Sequence, residues 1–212
     1  MFSSLPGLLR SVTTAESSLV GRAANTNGDF WGYDQMRGLL VEISASGLHS
    51  SLTASARLIW EAQNQREPVA WVSCGASHFF PPDFERNGID LSALLVIRAG
   101  GVLLGGRTTD RLVRSGAFGL VILDMGSGQQ LSLPLLSRVA SLCKKKNTAT
   151  VCLTDKSRET ASLGAVVSLR TEALRENLGK GRFRYRVRTI KDKRRGPGRE
   201  NSELVFGPPG LR

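Results

Sequence analysis

From residue 38 onward the chain alternates short apolar runs with longer mixed segments, and the two kinds of run predict different elements. Leu39–Ile43 (LLVEI) is almost continuously apolar, as in a strand covered on both faces. Thr53–Gln65 spaces Ala54, Leu58 and Ala62 four apart, which predicts a helix with those three facing a core. Pro68–Ser73 (PVAWVS) is a second strand, and Ser77–Gly88 (SHFFPPDFERNG) an irregular segment. Leu91–Ala99 (LSALLVIRA) supplies a third strand, Thr108–Ser115 a helix, and Phe118–Met125 (FGLVILDM) a fourth strand with a carboxylate near its end. Leu133–Lys146 predicts a helix with a basic tail, and Thr148–Asp155 (TATVCLTD) a fifth strand. Strands separated by helices in this way imply a mostly parallel sheet flanked by helices on both faces.

The end of the chain changes character. Ala165–Arg170, Phe183–Ile190 and Glu203–Gly207 are strands with no helix between them, and Arg175–Gly181 (RENLGKG) is expected to bend between the first two. The α/β sheet should therefore finish in an antiparallel hairpin. At the other end, residues 1–35 are rich in Ser, Thr, Asn, Ala and Gly. Leu5, Leu8, Leu9 and Val12 have the spacing of a short helical face, and Asn25–Asp29 that of a turn. The expected organisation is a helical arm and linker (1–35), one core domain (36–207) and a tail (208–212).

Charge adds a second constraint. The formal net charge is +11 and the pI about 10.4, which favours polyanionic partners and says nothing about fold. Three cysteines (Cys74, Cys143, Cys152) and two histidines (His49, His78) have no metal-ligand spacing and form no disulfide framework, so no metal is expected. The apolar stretches are too short for a signal peptide or a membrane span, and a reducing, cytoplasmic setting is expected. His78, followed by two phenylalanines and two prolines, suits a packed surface loop better than a catalytic base.

Most of the excess charge lies in Gly179–Arg199. Lys180, Arg182, Arg184, Arg186 and Arg188 alternate with apolar residues, and in a strand the period of two puts the cations on one face. A nucleic-acid backbone, an acidic protein and plain solvent are all compatible with such a row.

Five stretches in order resemble the ATPase core of the RecA recombinase family: MRGLLVEI (36–43), NGIDLSALLVIRA (87–99), VRSGAFGLVILD (113–124), RYRVRTIKDK (184–193) and LVFG (204–207). The resemblance implies a RecA-like core over nearly the whole globular part, and it makes the departures informative. A working phosphate loop, G-x-x-x-x-G-K-[ST], wraps phosphates with backbone N–H groups, meets them with lysine and holds magnesium with a hydroxyl. The matching positions here are Ala45 and Ser50 for the glycines, Ser51 for the lysine and Leu52 for the hydroxyl. Ser73–Ala76 replace the stretch bearing the catalytic glutamate. Asp155 stands where the family has a sensing glutamine, and Asp124 keeps the magnesium-binding position. The resemblance thus implies a degenerate nucleotide site without hydrolysis and without a cofactor. The equivalents of the family's DNA-binding loops, MGSGQQLSL (125–133) and DKSRETASLG (155–164), are short, which puts recombinase-type DNA binding in doubt.

Among RecA-like proteins lacking a working phosphate loop, the chain is most similar to the ImuA group and its relative SulA. The ImuA resemblance implies a damage-induced accessory of mutagenic translesion synthesis. Its partners would be ImuB, an inactive Y-family polymerase homologue, and an error-prone replicative-type polymerase. Lys191 and Lys193 match the family's K-x-K pair that reaches a neighbour's ATP, which implies contact with a RecA filament end; a solvated basic turn is the alternative. Asp110, Arg111, Arg114, Phe118 and Gly119 match the edge on which a neighbour's polymerisation segment docks. A SulA-like inhibitor of cell division and an ATPase with an altered binding mode are the competing readings.

Overall fold

A computed structural model of the chain describes residues 31–45, 49–75, 79–127, 130–180 and 182–206. The expected N-terminal helix and the Asn25–Asp29 turn lie outside them, as do His78 and the tail.

Eight strands form one sheet in the order β3-β2-β4-β5-β1-β6-β7-β8. They are β1 (Leu40–Ala45), β2 (Val69–Cys74), β3 (Leu94–Ala99), β4 (Leu120–Ser127), β5 (Ala149–Asp155), β6 (Leu169–Gly179), β7 (Arg182–Asp192) and β8 (Glu200–Phe206). The first six pair in parallel, and β7 and β8 pair antiparallel. The architecture is thus the expected one: a mostly parallel sheet with helices on both faces and an antiparallel hairpin at one end.

Each face has its own core. On one, α2 (His49–Asn64) lays Ala54, Leu58 and Ala62, all fully buried, over Val41, Ile43, Trp71 and Ile122. The short α1 (Tyr33–Met36) docks beside it. Trp31, Tyr33 and Met36 are buried in this core, and the Tyr33 N–H donates to Glu61 Oε2 at 2.7 Å. On the other face, α4 (Val102–Ser115) and α5 (Leu133–Lys146) cover Leu40, Val72, Leu123 and Cys152. All three cysteines are buried there and unpaired by disulfides.

The pattern does not predict helix α1, α2 starts four residues before Thr53 and β8 three before Glu203, and further segments differ from the pattern-based expectation. The Ser77–Gly88 segment contains a helix, α3 (Pro81–Arg86), started by proline in its first turn and anchored by buried Phe84 against Trp71 and Phe79. Leu91–Ala93 is a 3-10 turn capped by Asp90, so β3 begins at Leu94. Ala165–Ser168 are not strand; β6 starts at Leu169 and continues to Gly179, with Glu172 and Glu176 facing Arg188 and Arg184 across the ladder, so the expected bend is confined to the turn after Gly179. Helix α4 starts six residues before Thr108, through Gly105 and Gly106, which lower helix propensity yet allow close packing.

That packing is tight. A Cβ on Gly105 would lie 2.2 Å from Cys74 Sγ, and one on Gly106 2.6 Å from Leu131 Cδ2. Gly105→Ala should therefore destabilise the fold by about 1–2 kcal/mol in urea melts, overpacking outweighing the helix-propensity gain. Cys74→Ala in the same chain should recover much of that loss, and no recovery would place the clash elsewhere.

Candidate functional site

The residues expected at the degenerate nucleotide site lie at or near the carboxyl ends of β1, β2 and β4 and in the first turn of α2. Ala45 closes β1 and is buried; Ser50 falls in the first turn of α2, its side chain outside the described ones. Ser51, in α2, is buried, and Leu52 beside it is partly buried against the core under the helix. Asp124 is buried at the end of β4, paired in register with Ser73. Behind them Cys74 faces the other core, its thiol pKa pushed up to about 11 by burial and by the charge of Asp124. The positions a lysine and a magnesium-holding hydroxyl would occupy thus carry a buried serine and a core leucine, beside one carboxylate. These donors do not fit a triphosphate with its metal.

The hairpin keeps the expected alternation. Arg182 and Arg184 are exposed and Arg186 and Arg188 half-exposed, while Phe183, Tyr185 and Val187 are buried on the opposite face. Lys180 sits in the turn before β7 with φ 54°. The cations are not alone, however. Arg184 meets Glu176 at 3.1 Å, Arg188 meets Glu200 at 3.1 Å, and Arg186 lies between both acids at 4.0 and 3.5 Å. Each such pair contributes little to stability, and the two acids offset part of the row's charge, at Arg184, Arg186 and Arg188. Sequence alone missed this because the two acids come from the neighbouring strands β6 and β8.

Of the K-x-K pair, Lys191 is engaged within its own chain: Nζ donates to the carbonyls of Gly164 and Ala165 at 3.3 and 3.4 Å. Partial burial, with the nearby Lys193 charge, lowers its pKa. Lys193 itself is exposed.

The expected docking residues do not form one surface. Asp110 is buried and ties Arg114 (3.1 Å) to Arg138 of α5 (2.7 Å), while Arg111 is exposed. Phe118 is half-buried against the second core. Gly119 lies inside, where a Cβ would meet Tyr33 Oη at 2.5 Å and Glu67 Cβ at 2.7 Å. Five of the exposed large apolar side chains gather instead at the edge strand and the helix starts, Leu95 and Val96 on β3, Leu103 and Leu104 on α4 and Leu133 on α5; Trp60, Phe80 and Leu204 are exposed elsewhere. Between the two helices runs a groove of about 250 Å³ lined by Leu103, Arg107, Ser132, Pro134, Leu135 and Arg138.

Pattern analysis also passed over Glu42, the single charge in LLVEI. It is fully buried in the middle of β1 and accepts from Lys156 Nζ (2.6 Å), Ser162 Oγ (2.7 Å), the Leu163 N–H (3.0 Å) and Thr154 Oγ1 (3.2 Å). Arg170, also buried, lies 3.8 Å away and donates to the carbonyls of Thr160 and Ser157. Burial alone would raise the Glu42 pKa. The bonds from Lys156, Leu163 and Ser162 outweigh it and hold the carboxyl below the ordinary glutamate range.

Among the described residues no three His, Cys, Asp or Glu side chains gather as a metal site, and no helix is long and apolar enough to cross a membrane. No protein-family model matches the chain. Among curated proteins it is similar to the RecA protein of a Nocardioides species, 33% identical over 89 residues. The match covers 42% of this chain and 25% of that protein, so the chain spans about a quarter of that relative's length. Sequence and architecture together support a RecA-like relationship.

Glu42→Gln should leave Lys156 and Arg170 uncompensated and cost about 3–5 kcal/mol in denaturant melts. Because the folded-state pKa is depressed, the Glu42 contribution is full above the unfolded value and is lost as pH falls through the folded one. Wild type should therefore lose stability on acidification below the ordinary glutamate range more steeply than the variant. Parallel pH profiles would contradict this.

Proposed function

We propose that this chain is a non-catalytic RecA-like accessory protein of the bacterial DNA-damage (SOS) response. On this reading it supports mutagenic translesion synthesis by binding an ImuB-type inactive Y-family polymerase homologue. RecA filaments, an error-prone replicative-type polymerase and DNA are its further contacts. The observation that carries the non-catalytic part is the mouth of β1. Ser51 and Leu52 stand at the lysine and magnesium positions, one buried and the other packed into the core. Hydrolysis of a triphosphate relies on cations placed at the developing charge, and these positions supply none.

Partner binding is supported by the exposed apolar groups on β3 and at the starts of α4 and α5, beside the groove flanked by Arg107 and Arg138. An edge strand with unpaired backbone groups and apolar side chains is suited to a partner segment that adds a strand and buries a side chain. On this reading the docking surface is on the same helix α4 as Asp110, Arg111 and Arg114, but at its other end.

ATP with magnesium should leave the melting temperature unchanged. A nucleotide present at about 100 times its Kd would stabilise the fold by about 2.7 kcal/mol, a shift of several degrees. Such a shift would favour an ATPase with an altered binding mode. Leu103→Glu with Leu104→Glu should reduce co-purification of a co-expressed ImuB-type protein at least about tenfold, since each buried leucine contributes about 1.5–3 kcal/mol. Undiminished capture would move the partner site elsewhere. Filamentous growth on overexpression without damage would favour a SulA-like inhibitor instead.

A further inference from the structure

Three arginines of the row on β7, Arg184, Arg186 and Arg188, have acids beside them, whereas most of a second concentration of positive charge has none among the described residues. It collects at the opposite end of the sheet from the nucleotide mouth, along the rim where the parallel strands begin. Helix α5 ends there in Lys144, Lys145 and Lys146, all exposed. The turn between β7 and β8 carries exposed Lys193, Arg194 and Arg195, followed by half-exposed Arg199. Among the described residues none of the first six has an acidic partner. The one carboxylate in the turn, Asp192, accepts from the N–H groups of Arg194 and Arg195 and lies 4.0 Å from Arg199.

Backbone contacts join the two clusters into one stretch. The Lys193 N–H donates to Ser168 O at 3.0 Å, and the Ser168 N–H to Leu40 O at 2.9 Å. Two residues before Leu40, the Cβ direction of Gly38 meets Lys144 Cα at 3.8 Å. The clusters are thus separated by the starts of β5, β1 and β6, roughly 15 Å at strand spacing. Lys191 lies at the same end of β7 and is held against the loop that covers this face. The lysines of α5 complement the negative end of their helix, which explains one cluster. Nothing comparable explains the arginines of the turn, and like charges gathered on one rim repel unless an anion bridges them.

We propose that this rim binds the phosphate backbone of nucleic acid, with Lys144, Lys145 and Lys146 on one side and Lys193, Arg194 and Arg195 on the other gripping successive phosphates. The contact is sequence-independent, because nothing here is aimed at base edges. A nucleic acid fits better than an anionic membrane. The large exposed apolar side chains that would enter a bilayer lie on α2, α3, β3, the starts of α4 and α5, and the middle of β8, and none on this stretch. The site does not depend on the accessory role above, and it lies apart from the mouth of β1.

The test is fluorescence anisotropy of the full chain with labelled single-stranded and duplex oligonucleotides of arbitrary sequence, across a salt series. Two triple variants, K144Q/K145Q/K146Q and K193Q/R194Q/R195Q, are compared with a hairpin control, R182Q/R184Q. Each rim variant should bind about tenfold more weakly or worse at about 100 mM salt. Its log–log salt slope should flatten by about 2–3, at roughly 0.9 per lost phosphate on duplex and 0.7 on single strands. The control should stay within about threefold of wild type. Equal melting temperatures establish that the variants are folded, and either triple alone suffices to decide. Rim variants that bind like wild type, a loss confined to the hairpin control, or no wild-type binding at low salt would each overturn the proposal. So would rim-dependent binding to phosphatidylserine vesicles without binding to either oligonucleotide.

Discussion

The path of the chain after β5 depends on one buried carboxylate. Glu42 lies in the middle of an inner strand with no exposure to solvent, and an unpaired charge there would be untenable. Its partners come from residues 154–163 and from Arg170, so the β5–β6 connection crosses the sheet face as an extended loop where a crossover helix would otherwise run. Arg170 then fixes the loop from its other side through the carbonyls of Ser157 and Thr160. The loop returns to the start of β1, and β6 lies parallel to β1 from Val41–Leu169 onward. The ion cluster adds modestly to net stability compared with an apolar core of the same shape, but it specifies where this segment runs.

Past β6 the sheet is covered differently. β1, β4 and β5 have helices on both faces and are buried at nearly every position, whereas β7 alternates between buried and more exposed residues as far as Thr189. The helices α4 and α5 stop short of the hairpin, which leaves one face of β6, β7 and β8 to charged side chains. Glu176 and Glu200 offset part of that face, so a strand that looks like a cationic strip in isolation becomes in part a ladder of opposite charges once folded. At the turn and at the end of α5 no neighbouring strand brings an acid among the described residues.

What could be read from the sequence follows the same division. The buried parallel strands and the core face of α2 were legible because solvent exclusion on both sides leaves an apolar run, and one-sided exclusion leaves a period of 3.6. The start of α4 was not, since Gly105 and Gly106 serve tertiary contact with Cys74 and Leu131 at the expense of helix propensity. The length of β6 was hidden for a related reason. Leu169–Gly179 is mixed in character, and its extended form depends on cross-strand partners that pattern within the segment cannot display. For candidate residues, the positions at the mouth of β1 followed from the family resemblance, which fixes them by their distance from a strand. Whether Asp110, Phe118 and Gly119 share a surface depended on side-chain directions that only the folded packing fixes.

The mouth of β1 also bears on why a fold of this kind can outlast the chemistry proposed to be lost from it. Leu52 is now part of the packing between α2 and the sheet, and Ser51 is buried next to it. A lysine at 51 would bring a charge into a place with little access to water, and a hydroxyl at 52 would remove apolar contact from the core. Each change toward a phosphate loop therefore opposes stability unless a ligand is already there to pair with it. For the non-catalytic role proposed above, packing Ser51 and Leu52 at this turn sacrifices nothing, and the charged rim and the apolar edge lie apart from it.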